Sequence, residues 1–399
     1  MKKGKHAKKR KYSFLMIVVV LFSLSAFSTG TILGWQFYNN EHSQIVAHAQ
    51  SAQKKLILTT NEQQLVEKID QLLRKNDYIG SIYVKKNNRI IMEKGYGYAN
   101  KLTQQPNDPS LYYQIGSVQK ALTTLLILKQ VERGHLSLDT KLAQFYPQIA
   151  GSQQITIRDL LYMRSGLHRT ASPTIPMTDE EVVQFAIQHL KFTDYQTSHY
   201  DSLNFTILTG ILIKLTNQPY EKLLTDDIIE PLGLQHTKFY DQVKNSSNHA
   251  LSYQMSKEDD YFKPLTESET EIHNELGTGN ISMSVYDLNT LFTQVLSGKL
   301  VSKDLLFSLW RENANGHPYS GGVYSGDNYI LSQGNIDSFD TSAIFSKDSQ
   351  DAIIMESNIK ADKTIKLPTA DLRNQIYDLM EGTTTVSYTH LTLPTICSV

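Results

Sequence analysis

The sequence predicts an α+β fold in which two distant parts of the chain close one antiparallel sheet and a helical region is inserted between them. Three observations predict it. β-Prone segments at Ile79–Val84 and Arg89–Lys94 flank Asn87-Asn88, a hairpin turn that suits asparagine because asparagine tolerates positive φ. Strand-like segments return only at Tyr329–Leu331, Thr341–Phe345 and Ala352–Met355, before a helical stretch from about Ala370 to Met380. Between these two groups, from Ser117 to about Lys214, the pattern is helical.

Composition bounds the class. A chain of 399 residues with 40% hydrophobic and 20% charged residues can bury a large core, as one large domain or two intimate ones. The formal net charge of -1 hides an asymmetry, because seven Lys or Arg fall within residues 1–12. Without them, 32 basic residues face 40 acidic ones, a balance of -8 that gives nucleic-acid binding no electrostatic support. The single cysteine, Cys397, lies in a tail that looks non-native, so the body has no disulfide, zinc-thiolate or cysteine chemistry.

Taken in order, residues 1–13 are a basic segment and residues 14–35 carry no charge, enough at about 1.5 Å per residue to cross a ~30 Å hydrocarbon core. Lys2, Lys3, Lys5, Lys8, Lys9, Arg10 and Lys11 then stay cytoplasmic, and everything after Trp35 lies outside the cell membrane. A cleaved signal peptide is the rival reading, but its Ala47-His48-Ala49 site is far beyond the apolar run, so an uncleaved anchor is preferred. Residues 36–60 are a polar tether, and 61–383 form the folded domain, with its helical region at about 115–250. The end of the chain, 384–399, contains Val386–Thr395, which looks like translated sequencing-adaptor read-through and so stands apart from the native domain.

Within the domain, an apolar helix opens at Ser117 and stops at Gly134, a good C′ residue. Further helices are expected at Asp159–Met163, Asp179–His189 and Leu203–Leu215, with Pro231-Leu232-Gly233 breaking the run after Ile229.

Ser-x-x-Lys is the pattern that carries chemistry. A serine and a lysine three residues apart on a helix share a face, which suits a Ser nucleophile whose proton is taken by Lys. The chain contains the pattern three times, at Ser51/Lys54, Ser117/Lys120 and Ser357/Lys360. Ser51 lies in the tether and Ser357 follows a strand; Ser117 alone opens an apolar helix, where free N–H groups and the dipole favour a developing anion. The competing reading makes Ser117 an N-cap and Lys120 a solvated lysine.

Context decides between them. Ile115-Gly116-Ser117-Val118-Gln119-Lys120, Gly134-His135-Leu136-Ser137-Leu138-Asp139, Ile155–Leu161, Arg164-Ser165-Gly166-Leu167, Asn204-Phe205, Pro231–Leu234 and Gly277–Ser282 follow one another in order and spacing. In these blocks the chain resembles the serine β-lactamase and penicillin-binding protein superfamily, in its class C and D-alanyl carboxypeptidase/esterase branch, over residues 77–360. The resemblance implies a β-lactamase/transpeptidase-like fold, with an antiparallel sheet flanked by helices, an all-helical subdomain, and the site between them. It implies an acyl-enzyme on Ser117, no metal and no organic cofactor.

Aligned on Asn204-Phe205, the family's Tyr-x-Asn motif falls at Tyr200-Asp201-Ser202. Tyr200 would relay a proton if Lys120⁺ lowers its pKa; Ser202 replaces the usual Asn in substrate binding. The third motif, a cation-x-Gly on a strand, falls at Ser332-Gln333-Gly334, so the cation is absent. Gly334 permits close backbone approach, and the N–H of Asn335 would join that of Ser117 as an oxyanion hole. A D-Ala-D-Ala peptide ends in a carboxylate that wants a cation, whereas a D-alanyl ester on a teichoic acid presents an ammonium. With Asp201, Asp337 and Asp340 in or near the motifs, amine-bearing or neutral acyl donors are expected over carboxylate-ended peptides, unless Arg164 or His199 supplies a substitute cation.

No G-x-S-x-G elbow points to an α/β-hydrolase, and His168, His189, His199, His236 and His273 show no metal-ligand spacing. The sequence is thus read as a membrane-anchored serine hydrolase acting on cell-wall D-alanyl groups, peptide or teichoic acid, with β-lactams as further ligands. A non-catalytic wall-binding or penicillin-sensing module is the alternative, since two of three motifs are altered.

Overall fold

In the computed structural model of the chain, the described residues are 56–311, 318–360 and 366–382. The basic segment 1–13, the expected anchor 14–35, most of the tether and the tail 384–399 lie outside them, as does Ser51/Lys54. Among the described residues no helix is long and apolar enough to cross a membrane. The chain divides into two units, 1–57 and 58–399, and the second is the folded domain.

That domain is built on a seven-stranded antiparallel sheet. Its strands are β1 (Gly80–Lys86), β2 (Arg89–Tyr96), β3 (Tyr319–Ser320), β4 (Val323–Ser325), β5 (Tyr329–Ile336), β6 (Phe339–Ser346) and β7 (Ala352–Ser357), in spatial order β3-β4-β5-β6-β7-β1-β2. The two parts of the chain meet where β1 pairs with β7, Ser81 opposite Glu356 and Lys85 opposite Ala352. Asn87 and Asn88 both have positive φ, 50° and 59°, as the hairpin requires.

Both faces of the sheet are covered. Along β1, alternate residues point to opposite sides. Tyr83 meets the ring of Tyr286 and Lys85 Nζ donates to Thr293 Oγ1 on α5 (Val285–Leu296), while Lys86 Nζ donates to the Met380 carbonyl on α6 (Thr369–Glu381). β1 is accordingly buried on both sides rather than alternating. Glu356 of β7 is fully buried on the α5 side, where the absence of water pushes its carboxyl well above the ordinary range. α1 (Thr60–Lys75), closed at its start by a Thr59/Glu62 capping box, packs beside α6.

The inserted region holds α2 (Gln119–Glu132), α3 (Asp179–Gln188) and α4 (Leu203–Thr216). α4 is mostly apolar, and each residue from Leu203 to Leu212 is buried, as in a central helix. Two expectations need adjustment. Helical structure continues past Ile229 through Pro231 and ends at Gly233, because proline is tolerated in the first turn of the short segment Glu230–Leu232. β5 runs on from Leu331 to Ile336, where Ser332 and Gly334 are buried and the pairing with β6 is unbroken.

Candidate active site

Ser117 lies on a short 3₁₀ turn, Gly116–Val118, that leads directly into α2. It is therefore one turn before the α-helix rather than its first residue, and it is not an N-cap. From Leu111 to Leu128 every residue is buried except Ser117, which is half-exposed. Lys120 is 1% exposed, so it is no solvated first-turn lysine. Its Nζ donates to Ser117 Oγ at 2.8 Å and to the Thr278 carbonyl at 3.3 Å. Burial pushes the Lys120 ammonium down to about 8, against an opposing pull from Glu275. A lysine poised there is a base at mildly alkaline pH.

Tyr200 reaches the same point from the segment before α4. Its hydroxyl hydrogen-bonds with Ser117, its ring lies 5.3 Å from Lys120 Nζ, and it packs edge to face on Tyr319 with centroids 5.4 Å apart. The expected lowering of its pKa by Lys120 does not occur. Burial raises the phenol above its ordinary value, and the bond to Ser117 only partly opposes this. Tyr200 is a neutral phenol at working pH, able to donate or accept a hydrogen bond but not to serve as an anionic base.

The third wall is β5. A Cβ built on Gly334 would stand 2.0 Å from the Ile115 carbonyl oxygen and 2.7 Å from the Ser117 nitrogen, so only glycine lets the strand touch the nucleophile turn. Gly116, with φ 48°, faces the backbone of Asn335 less tightly, a built Cβ lying 2.8 Å from Asn335 O and 3.0 Å from Asn335 N. Ser332 is fully buried, and its hydroxyl has no hydrogen-bond partner among the described residues. Ser202 is half-exposed at the start of α4. The structure thus brings Ser117, Lys120 and Tyr200 together and sets Gly334 and Asn335 against the Ser117 turn.

Other candidates fall elsewhere. Asp340 pairs in register with Asn335, which puts its side chain on the face of the sheet opposite to Ser332 and Gly334. There it is buried and meets Thr369 at the start of α6, so it does not line the cleft. Asp337 accepts from the Ser268 amide and hydroxyl, both at 3.0 Å. Arg164 is held by Asp159, Nε to Oδ1 2.9 Å, and is a structural ion-pair partner rather than a substitute cation. Ser357 Oγ donates to the carbonyls of Ile79 and Ile359, a structural use of the third Ser-x-x-Lys serine. Ser165 Oγ donates to Asn204 Oδ1 at 2.6 Å, which explains why those two blocks travel together: one fixes the other.

His199 and Asp201, already placed beside the second motif by sequence, have a neighbour there that sequence did not assign to the site, His168. His168 and His199 pack edge to face 4.5 Å apart, with Asp201 beside them; a ligand atom from each lies within 4.8 Å of the others. Asp201 accepts from the amides of Arg169 and Leu203, at 2.8 and 2.9 Å. Thr278, inside the Gly277–Ser282 block, Glu275 just before it, and Arg169 also stand at the site; Arg169 has no local signal at all.

Comparison with known proteins agrees with this fold. A family model described as Beta-lactamase matches residues 65–357. Bacillus subtilis (strain 168) PbpX, whose name places it with penicillin-binding proteins, is 26% identical over 315 residues, covering 79% of this chain and 78% of its own. A teichoic acid D-alanine hydrolase of Staphylococcus aureus (strain MRSA252) is 29% identical over 249 residues, 62% of this chain and 61% of that protein. The match therefore spans less than two thirds of the hydrolase. The crystal structure of FmtA from Staphylococcus aureus superposes with a TM-score of 0.71 at 22% identity, covering 83% of this chain and 94% of FmtA. The chain belongs to the beta-lactamase family and is a serine hydrolase of that fold.

Proposed function

We propose that this hydrolase removes D-alanyl groups from hydroxyl-bearing cell-wall polymers such as teichoic acid, working outside a membrane to which residues 14–35 anchor it. One observation carries the preference for esters over peptides: Ser332 occupies the position where a carboxylate-binding cation is expected, while Ser117, Lys120 and Tyr200 are in place. The name of the S. aureus relative supports the same substrate class.

In this reading neutral Lys120 takes the Ser117 proton as Oγ attacks the ester carbonyl carbon. The N–H groups of Ser117 and Asn335 hold the resulting oxyanion. The tetrahedral intermediate expels the polymer's alkoxide, which receives a proton from Lys120 through the Tyr200 hydroxyl, leaving a D-alanyl ester on Ser117. Water, deprotonated by the same groups, then attacks that ester and releases D-alanine and Ser117. Gly334 makes room for the acyl group, and Ser202 and Ser332 offer it neutral hydrogen bonds.

The test uses the full-length chain in detergent micelles. A serine-directed activated phosphonate should label Ser117, as located by mass spectrometry, and a D-alanyl ester should turn over faster than a D-Ala-D-Ala peptide. Faster peptide cleavage would make the protein a carboxypeptidase; no adduct on Ser117 would make it a binding module.

A further inference from the structure

An aminoacyl ester constrains where its ammonium can lie. Standard bond lengths put the α-nitrogen about 2.5 Å from the carbonyl carbon under attack, so whatever receives it must border the Ser117–Lys120 pair. Glu275 does. It opens the turn 275–280, whose Thr278 carbonyl accepts from Lys120 Nζ at 3.3 Å. One of its carboxylate oxygens, Oε2, accepts the Thr278 hydroxyl. The other, Oε1, faces Arg169 Nη1 at 3.8 Å, an ion pair too long for a hydrogen bond. The Glu275 side chain is 19% exposed, which leaves it partly open to solvent and only lightly screened.

The surroundings favour a cation. Glu271 is exposed beside Glu275 and Asp337, and Arg169 is the positive charge set against them. The segment carrying Glu271 and Glu275 is tied through Ser268 to Asp337, the residue that follows β5. Glu275 and Asp201 act on Lys120 in one direction and Arg169 in the other.

We infer that Glu275 forms a subsite for the primary ammonium of the acyl donor, accepting it on Oε1 in exchange for the loose contact with Arg169. The inference rests on the esterase reading and deepens it: the missing cation at Ser332 removes affinity for a carboxylate, and Glu275 supplies affinity for an amine.

The experiment compares two esters with one leaving group, D-alanyl and N-acetyl-D-alanyl, on the full-length chain in micelles. Any effect of Glu275 on Lys120 falls on both esters and cancels in their ratio. For Glu275→Gln the ratio of kcat/KM, D-alanyl over N-acetyl-D-alanyl, should fall by about 10- to 100-fold, the worth of one charge-assisted hydrogen bond. Arg169→Gln should raise the same ratio by removing the competing cation. A ratio unmoved by Glu275→Gln overturns the subsite; should that variant not fold by circular dichroism, an unmoved ratio in Arg169→Gln overturns it. If instead the wild type cleaves a D-Ala-D-Ala peptide and neither ester, the esterase reading itself has failed.

Discussion

Replacing Lys120 by Met should abolish turnover and stabilise the fold, by an amount that depends on pH. The side chain is 1% exposed, and burial lowers its ammonium from 10.5 to about 8. Below pH 8 both folded and unfolded chains hold the proton, and the folded chain bears the full penalty of a buried charge, about 3 kcal/mol. Between about 8 and 10.5 the unfolded chain still holds a proton that the folded chain has released, so stability rises with pH. From pH 7 to pH 10 that rise integrates to about 2–3 kcal/mol. Methionine fills similar space without the charge, at the loss of hydrogen bonds to Ser117 and Thr278 worth about 1 kcal/mol each. Lys120→Met should therefore be more stable than wild type by about 1–2 kcal/mol at pH 7 and lose that advantage by pH 10. Urea unfolding of both proteins at pH 7, 8.5 and 10 measures the difference. In parallel, wild-type kcat/KM should climb about tenfold per unit below pH 8 and level off above it. A stability difference that does not change with pH would show that Lys120 keeps an ordinary affinity for its proton and cannot be the base.

Tyr200→Phe removes the phenol that touches Ser117 and should lower kcat for the D-alanyl ester by about 10²–10⁴-fold with little change in KM; steady-state kinetics within about threefold of wild type would remove Tyr200 from the proton path. Gly334→Ala puts a methyl group 2.0 Å from the Ile115 carbonyl oxygen and must push β5 away from the Ser117 turn. It should cost at least about 100-fold in kcat while Lys120, held by Thr278 on another element, keeps its pH profile.

Much of the architecture was legible because it follows from local pattern. Asn87-Asn88 needs positive φ twice and gets it, Gly134 closes α2 with φ 74°, and the α+β order of strands, helices and strands is visible as runs of period. α5 was not expected, although its start carries a signal, Ser284 three residues before Asp287, whose amide the serine caps. The site motifs were legible by order and spacing. What failed was anything set by burial or by strand face. Tyr200's neighbours were named correctly, but desolvation outweighs the charge expected to acidify it. Asp340 is close to the motif in sequence and on the wrong side of the sheet, a fact carried by register alone. Glu275 is one acid among 40, and only the turn that folds Thr278 back onto Lys120 distinguishes it.

The pairing of β1 with β7 has a consequence for the making of the protein. β1 is synthesised early and is buried on both faces, yet Ser81 has no partner across that edge until Glu356 exists. Such long-range closure is slow relative to local helix formation, and an uncovered apolar edge invites pairing with other chains. A product stopping before β7 keeps Ser117, Lys120, Tyr200 and Gly334 in its sequence but leaves the edges of both β1 and β6 open. Its catalytic motifs would be intact and its sheet unfinished, so whether this chain becomes an enzyme is decided by a strand that holds none of the residues gathered at the site.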